Sequence, residues 1–327
     1  MRRDRRKPSW LLRLALLCLL LGGGIFWLLL NPVFFPATPV AAPPADAARL
    51  EADVRHLAAR TPSRTAHDVA MLDAAAAWIG GSFAAAGCAL RERTYEANGA
   101  TYRNVVCAFG PDAAPLLVIG AHYDVYESPG ADDNASGVAA ILELARLIGA
   151  AKPALTHRLE LVAFTLEEPP HFRRETMGSY VHARDLAAAG TPLKLMVSVE
   201  MVGYFSDDPG SQHYPAAGLD QLYPDRGDFI GVVGRTFDRS PVGRVKALMA
   251  AADSVPVWSI NAPVALAGID FSDHRSFWEH GLPAVMVTDT AFLRNPNYHM
   301  PTDTPDTLDY RRMAGVVEGL YQVAVLF

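Results

Sequence analysis

The sequence predicts an α/β layered sheet preceded by one membrane-crossing helix, and three observations carry that prediction. Short apolar runs suited to buried strands alternate with helical apolar spacing from about residue 69 to the C-terminus, the pattern of a sheet covered by helices. Leu11 to Leu30 is apolar apart from Arg13, and twenty helical residues rise about 30 Å, enough to cross a hydrocarbon core. His and acidic residues collect just after the strand candidates, where open α/β sheets place their sites.

Arg2, Arg3, Arg5, Arg6 and Lys7 precede the apolar run. Residues 1–9 therefore read as a basic cytoplasmic tail and 10–30 as a transmembrane anchor. The body is then expected on the periplasmic or extracytoplasmic side. A cleaved secretory signal is the rival reading, because Ala37, Val40, Ala41 and Ala42 offer small-residue cleavage positions. Against it, twenty residues exceed the roughly 7–15 of a signal's apolar region. Residues 31–47 hold five Pro, five Ala and one charge, the composition of a stiff, extended linker. The folded domain is expected over 48–327.

Thr65-Ala-His-Asp68 reads as the start of an Ala-rich helix that stops at Gly87. Strands follow at 89–96 and 101–108 around the turn Asn98-Gly99. Partners across such a turn sum to 197, and Cys88 and Cys107 sum to 195, so they lie nearly opposite. A disulfide and two buried free thiols both fit that placing. Further strands are expected at 116–121, 159–164, 195–199 and 284–287. Helices are expected at 138–148, 178–189 and from Tyr310 to the C-terminus. Residues 204–262, rich in Pro, Gly and Asp, read as loop with one helix near 242–252.

Half the residues are apolar and a fifth charged, which excludes a disordered or collagen-like chain. The net charge of −6 is uneven: residues 1–30 carry +5 and the remainder −11. An acidic body argues against a nucleic-acid partner, which needs basic surface. Three cysteines cannot supply a disulfide framework or a thiolate zinc site. Any metal must be held by His and carboxylates. His-Glu-x-x-His, Gly-x-Ser-x-Gly, a phosphate loop and a dinucleotide fingerprint are all absent, so serine hydrolase, kinase and dehydrogenase readings have no support.

His122 and Asp124 follow the strand 116–121, Glu167 and Glu168 follow 159–164, and Glu200 ends 195–199. His299 lies in the loop after 284–287, and Asp132 and Asp133 sit in a turn that opens a helix. Two imidazoles and several carboxylates on one rim make a ligand set for a borderline cation such as zinc. Adjacent side chains on extended backbone point oppositely, so one of Glu167 and Glu168 can reach metal while the other faces water.

His122-Tyr-Asp124, Gly130-Ala-Asp-Asp-Asn-Ala-Ser-Gly137, Glu167-Glu168 and Tyr298-His299 resemble, in order and spacing, the co-catalytic dizinc exopeptidases. That family holds bacterial aminopeptidases, glutamate carboxypeptidase, glutaminyl cyclase and the transferrin-receptor ectodomain. The resemblance spans roughly 48–327 and implies a mixed, mostly parallel central sheet sandwiched by helices. It further implies two zinc ions per chain, with His122 and Glu200 on the first, Glu168 and His299 on the second, and Asp133 bridging. Asp124 would stand behind His122 and fix its ring, while Asp132 shapes the turn. Glu167 would be the general base and Tyr298 a donor to the oxyanion. The implied activity is a membrane-tethered exopeptidase acting on peptide substrates, in the first instance an aminopeptidase. A single-zinc, glutaminyl-cyclase-like transferase and an inactive ectodomain are the alternatives.

Two departures from the family pattern stand out. Glu200 occupies a position where many members carry Asp, and Pro169–Ser179 replaces a short Gly-rich turn. His171 in that segment reads as a rim residue. Arg294 and Asn295 are candidates to meet a substrate carboxylate, against the plainer reading of surface solvation. Residues 204–226 are expected to overhang the pocket, and Asn134-Ala-Ser136 is read as an accidental glycosylation sequon.

Overall fold

The computed structural model describes residues 10–32, 36–59, 64–112 and 115–327; the basic tail over 1–9 lies outside them. The first helix, α1 (Trp10–Leu30), is followed by α2 (Ala47–Ala58) and α3 (Val69–Ala85). Asp68 caps α3 by accepting from the Met71 N–H at 3.0 Å, satisfying one of the orphan donors of a helix start. The hairpin β1 (Ala89–Ala97) and β2 (Ala100–Phe109) follows, then β3 (Leu116–His122), α4 (Gly137–Ala151), β4 (Arg158–Phe164), α5 (Gly178–Ala188) and β5 (Leu193–Glu200). The chain closes with β6 (Ile230–Arg235), α6 (Arg239–Ala250), β7 (Val257–Ala262), α7 (His274–Glu279), β8 (Ala284–Thr288) and α8 (Tyr310–Leu326).

The strands form one sheet in the order β1-β2-β4-β3-β5-β8-β6-β7. Four of its seven pairings are parallel, so the sheet is mixed and mostly parallel, as expected. Strand parity divides the core. Leu117, Ile119, Leu161, Val197, Val199, Val285 and Val287 face one cluster, which α2, α3, α4 and α8 complete. Leu116, Val118, Val162, Met196 and Met286 face another, with Ala183 and Leu186 of α5 and Phe277 and Trp278 of α7. Both faces are therefore covered, the condition under which parallel strands become continuous apolar runs.

Three expectations are corrected. The stretch 204–262 is not loop with a single helix: it holds β6 and β7 as well as α6. Ile230-Gly-Val-Val-Gly-Arg235 is short and broken by glycine, and its place in the sheet comes from pairing on both sides, parallel with β7 and antiparallel with β8. Residues 36–47 are not a spacer standing off the domain. Ala37, Val40, Ala42 and Ala45 pack on the core, and Val40 exchanges two hydrogen bonds with Gln322 of α8, at 2.8 and 3.0 Å. Proline's missing N–H leaves this strap to be held by side chains rather than by a ladder. The thiol alternative also falls: Cys88 and Cys107 are disulfide-bonded, with Cα atoms 5.4 Å apart.

The strap delivers Asp46 to Glu143, a residue of α4 with a fully buried side chain. Glu143 accepts from the Asp46 N–H at 3.0 Å, from Arg49 at 2.5 and 2.9 Å, and from Arg146 at 3.2 Å. Burial works to raise this carboxyl, but Arg49 and the Asp46 N–H hold it below its ordinary 4.5. Glu143→Ala is expected to cost about 1–3 kcal/mol, the worth of charged hydrogen bonds and of donors left unpaired. A carboxyl depressed by folding stabilises fully above about pH 4.5 and loses that contribution as pH falls through the folded value. Urea unfolding should therefore show a smaller difference from wild type at pH 4 than at pH 7.

Candidate metal centre

Parity and strand order bring the first two donors together. His122 and Glu200 end the adjacent parallel strands β3 and β5, on the face that carries α7. His122 Nε2 lies 3.4 Å from Glu200 Oε2 and 3.3 Å from Asp133 Oδ1. The other Asp133 oxygen, Oδ2, lies 3.1 Å from His299 Nε2, which is itself 3.3 Å from Glu168 Oε1. Asp133 is thus split, one oxygen to each imidazole. His122–Asp133–Glu200 and Asp133–Glu168–His299 form two three-donor groups that share it. Glu167 lies within the same radius of His122 and Glu168.

A buried scaffold fixes these side chains. The Asp124 carboxylate accepts from the backbone N–H groups of both Glu167 and Glu168 at 3.0 Å. His122 Nδ1 donates to the Asp124 backbone carbonyl at 3.1 Å, and the carboxylate stands 3.6 Å away. Asp124 does stand behind His122, but the ring's hydrogen bond goes to its main chain while its carboxylate holds the glutamate pair. Leu166, Met201 and His299 adopt φ of 59°, 49° and 57°, so left-handed residues flank or carry three donors. Such positions are uncommon outside glycine and cluster at sites held by their surroundings.

The Asp133 turn is held from below. Gly130 opens it at φ 62°, where an added Cβ would lie 2.2 Å from Val125 Cγ1 and 2.6 Å from the Asp133 carbonyl. Asp303 accepts from the backbone N–H groups of Asp132 and Asp133 at 2.9 and 3.1 Å. Asp132 accepts from Gly203 N–H and from Asn295 Nδ2 at 3.0 and 2.7 Å, which makes it the turn-shaping member of its pair. Asn134 is wholly buried and bonds the Val199 carbonyl and the Gly137 and Met201 N–H groups. Its sequon is closed to any glycan.

The electrostatics are those of a centre with too little positive charge. Burial raises Glu167 well above the ordinary carboxylate range, with Glu168, Glu200 and Asp273 adding to it and His122 opposing. Burial, then Asp133, pushes Glu168 up to about 8. Burial also works to raise Asp133, but His122 and His299 overcome it and hold that carboxyl below its ordinary value. His299, despite burial, is lifted to about 10 by Asp133 and Glu168. Glu168 Oε1 and His299 Nε2 are buried with no hydrogen-bond partner of good geometry among the described residues. Four carboxylates against two imidazoles, with two orphaned donor atoms, fit divalent cations bound by N and O.

Several residues were not legible beforehand. Ser272 donates to Glu200 Oε2 at 2.7 Å. Beside it Asp273 is buried and raised to about 7, first by burial. Asp303 is likewise buried and raised to about 7. None sits at a recognisable strand end, so only the signature Ser-Asp-His of 272–274 stood as a local signal. Three earlier readings are corrected. Arg294 is 5% exposed and held by the fold: Nε donates to Gln212 Oε1 and Nη1 to the Phe229 carbonyl, both at 2.8 Å, and the guanidinium lies over the Phe229 ring, leaving Nη2 buried without a partner among the described residues. Asn295 is committed to Asp132. His171 is no rim residue, being buried and bonded through Nδ1 to Thr176 Oγ1 at 2.8 Å.

Tyr298 stacks on His299 with ring centroids 3.9 Å apart and planes at 18°. Burial, with Asp133, Glu168, Glu167 and Glu200 nearby, raises its phenol far above the ordinary value, so it stays a neutral donor. Beyond Glu200 opens an apolar cavity. Phe229, Val233, Trp258, Ile260, Phe271 and Met286 line it, roofed by Gln212, Tyr214 and Tyr223. Of the segment 204–226, Gln212, Tyr214, Pro215 and Tyr223 border the cavity.

The peptidase family M28 model matches residues 104–324, a span that holds all five candidate metal donors. The protein YfbL of Escherichia coli (strain K12) is 46% identical over 294 residues, covering 87% of this chain and 88% of that protein. A probable leucine aminopeptidase of Arthroderma otae is 26% identical over 62% of this chain, which spans 51% of that protein. Among solved structures, the LapA aminopeptidase of Legionella pneumophila superposes with a TM-score of 0.69 at 24% identity, over 86% of this chain and 71% of that one. A glutaminyl cyclase of Bacteroides thetaiotaomicron superposes at 0.66 with 16% identity, over 88% and 100%. These likenesses carry the fold, and the family model with the close relative carries the kinship: the chain belongs to peptidase family M28.

Proposed function

We propose that the chain is a membrane-tethered zinc aminopeptidase with two ions per chain, the soluble domain lying outside the cytoplasm. The observation that carries this is Asp133, whose two oxygens face two separate imidazole–carboxylate pairs. His122 and Glu200 would hold one ion, Glu168 and His299 the other, and Asp133 both. When bound, the ions would polarise the scissile carbonyl and make water acidic enough to attack at neutral pH. Glu167, buried beside the centre and outside the two donor groups that share Asp133, takes the water's proton on its carboxylate and returns it to the leaving amine. Tyr298 donates its hydroxyl hydrogen to the oxyanion that forms. Asp124 fixes the height of Glu167 and Glu168 through their N–H groups.

Charge and lining support the amino end over the carboxy end. The centre carries excess negative charge, and among the described residues no Lys or Arg lines the apolar cavity. Arg294, the one nearby cation that was a candidate, is buried, spends Nε and Nη1 on the fold and does not line the cavity. A free amine is favoured there and a carboxylate is not. The cavity beyond Glu200 is suited to a large apolar side chain on the terminal residue. The anchor reading rests on α1, which is long and apolar enough to cross a membrane and is exposed along most of its length.

Elemental analysis of the full chain purified in detergent is expected to give close to two zinc ions per chain. Chelation should abolish hydrolysis of leucyl reporter peptides and lower the melting temperature, and zinc should restore both. One ion would favour the cyclase alternative, and none the inactive ectodomain.

A further inference from the structure

The C-terminal turn of α1 is built into the wall of the apolar cavity. The Trp27 ring lies 5.5 Å from Tyr223 and 6.3 Å from Trp258, centroid to centroid, and those two rings lie 5.8 Å from each other. Tyr223 and Trp258 both line the cavity, as does the metal donor Glu200. Register places Trp258 at the level of the site: Glu200 pairs with Thr288, Thr288 with Gly231, and Gly231 with Trp258. Three strand steps separate Glu200 from Trp258, roughly 14 Å.

The turn is pinned as well as packed. Asn31, 3% exposed, accepts from Lys246 Nζ at 2.5 Å and from Ser259 Oγ at 2.8 Å. The Ser259 carbonyl accepts from the Tyr223 hydroxyl at 2.9 Å, and the Asn31 N–H donates to the Trp27 carbonyl at 2.8 Å. Helix end, edge strand β7 and the roof of the cavity are thus one bonded unit. A plain tether needs none of these contacts.

We propose that Trp27 is a positioning residue for the apolar cavity: the last turn of the membrane helix buttresses Tyr223 and Trp258, and so sets the fit to large apolar side chains. This rests on the reading of the cavity as the seat of the substrate's terminal side chain. Without the buttress, both rings gain freedom toward the space Trp27 filled, and a leucyl or phenylalanyl side chain loses part of its wall. An alanyl side chain does not reach that wall.

The test uses the full chain in detergent micelles, with leucyl and alanyl reporter amides. Trp27→Ala should raise KM for the leucyl substrate about 2- to 12-fold, the worth of an aromatic pair contact. Its kcat, its zinc content and its alanyl KM should stay near wild type, and Trp27→Phe should recover most of the leucyl KM. Equal changes for both substrates, no change in either, or a mature chain whose N-terminus lies beyond Trp27 would overturn the proposal. Ile260→Ala, a direct change to the cavity lining, separates the two levels. If it too leaves the leucyl-to-alanyl ratio unchanged, the reading of the cavity fails. If it shifts the ratio while Trp27→Ala does not, the buttress alone fails.

Discussion

Glu167→Gln is expected to lower kcat about 10²- to 10⁴-fold, as removal of a general base does, with zinc content and melting temperature near wild type. The amide keeps the side chain's size, and Glu167 stands outside both three-donor groups that share Asp133. Its backbone N–H still donates to Asp124, so the strand end stays in place. What disappears is the proton acceptor. Glu168→Gln is the contrasting variant, because Glu168 Oε1 lies 3.3 Å from His299 Nε2. Replacing that anionic donor with a neutral amide should lower zinc affinity and metal-dependent stability together with activity. Metal analysis, thermal melts and turnover on the two proteins check the assignment. Full activity in Glu167→Gln, or zinc lost from it and retained in Glu168→Gln, would reverse the two roles.

The other large effect belongs to the shared carboxylate. Asp133→Asn should remove both ions rather than one, because an amide offers a single oxygen and turns its NH₂ toward the second imidazole. Zinc affinity should fall by more than the about 10–100-fold seen when an outer partner of a ligand is changed. The melting temperature should match that of chelated wild type, and chelation should shift it no further. Asp303 and Asp132 keep the turn itself in place through bonds that do not use the Asp133 side chain. Retention of two ions with a wild-type melting temperature would mean that Asp133 bridges nothing.

What the sequence alone determined follows from local pattern. The apolar runs of β3, β4, β5 and β8 and the Asn98-Gly99 hairpin were legible, as were His122, the Glu167-Glu168 pair and Glu200 at strand ends and His299 in the loop after β8; only the family resemblance divided the roles of the glutamate pair. Strand period and turn chemistry act over a few residues. The two-sided covering of the sheet followed from runs too apolar to face water. Strands β6 and β7 were not legible, because Ile230-Gly-Val-Val-Gly-Arg235 has too little apolar pattern of its own and is held as a strand by its pairing with β7 and β8. Arg294 and Asn295 looked free in sequence, since nothing local reveals that Gln212, Phe229 and Asp132 close on them.

Tertiary structure alone decided the rest, for a physical reason common to each case. Asp124's grip on Glu167 and Glu168, and Asp303's grip on the Asp133 turn, join residues 43 or 44 and 170 or 171 positions apart. The docking of Trp27 on Tyr223 and Trp258 joins distant parts of the chain, and that of the Pro-rich strap on Gln322 joins residues 282 positions apart. Such contacts leave no periodic trace, because they depend on where the sheet order brings distant segments and not on what stands next to them. Residue types and strand ends chose the chemistry. The fold decided which oxygen faces which imidazole, and what holds it there.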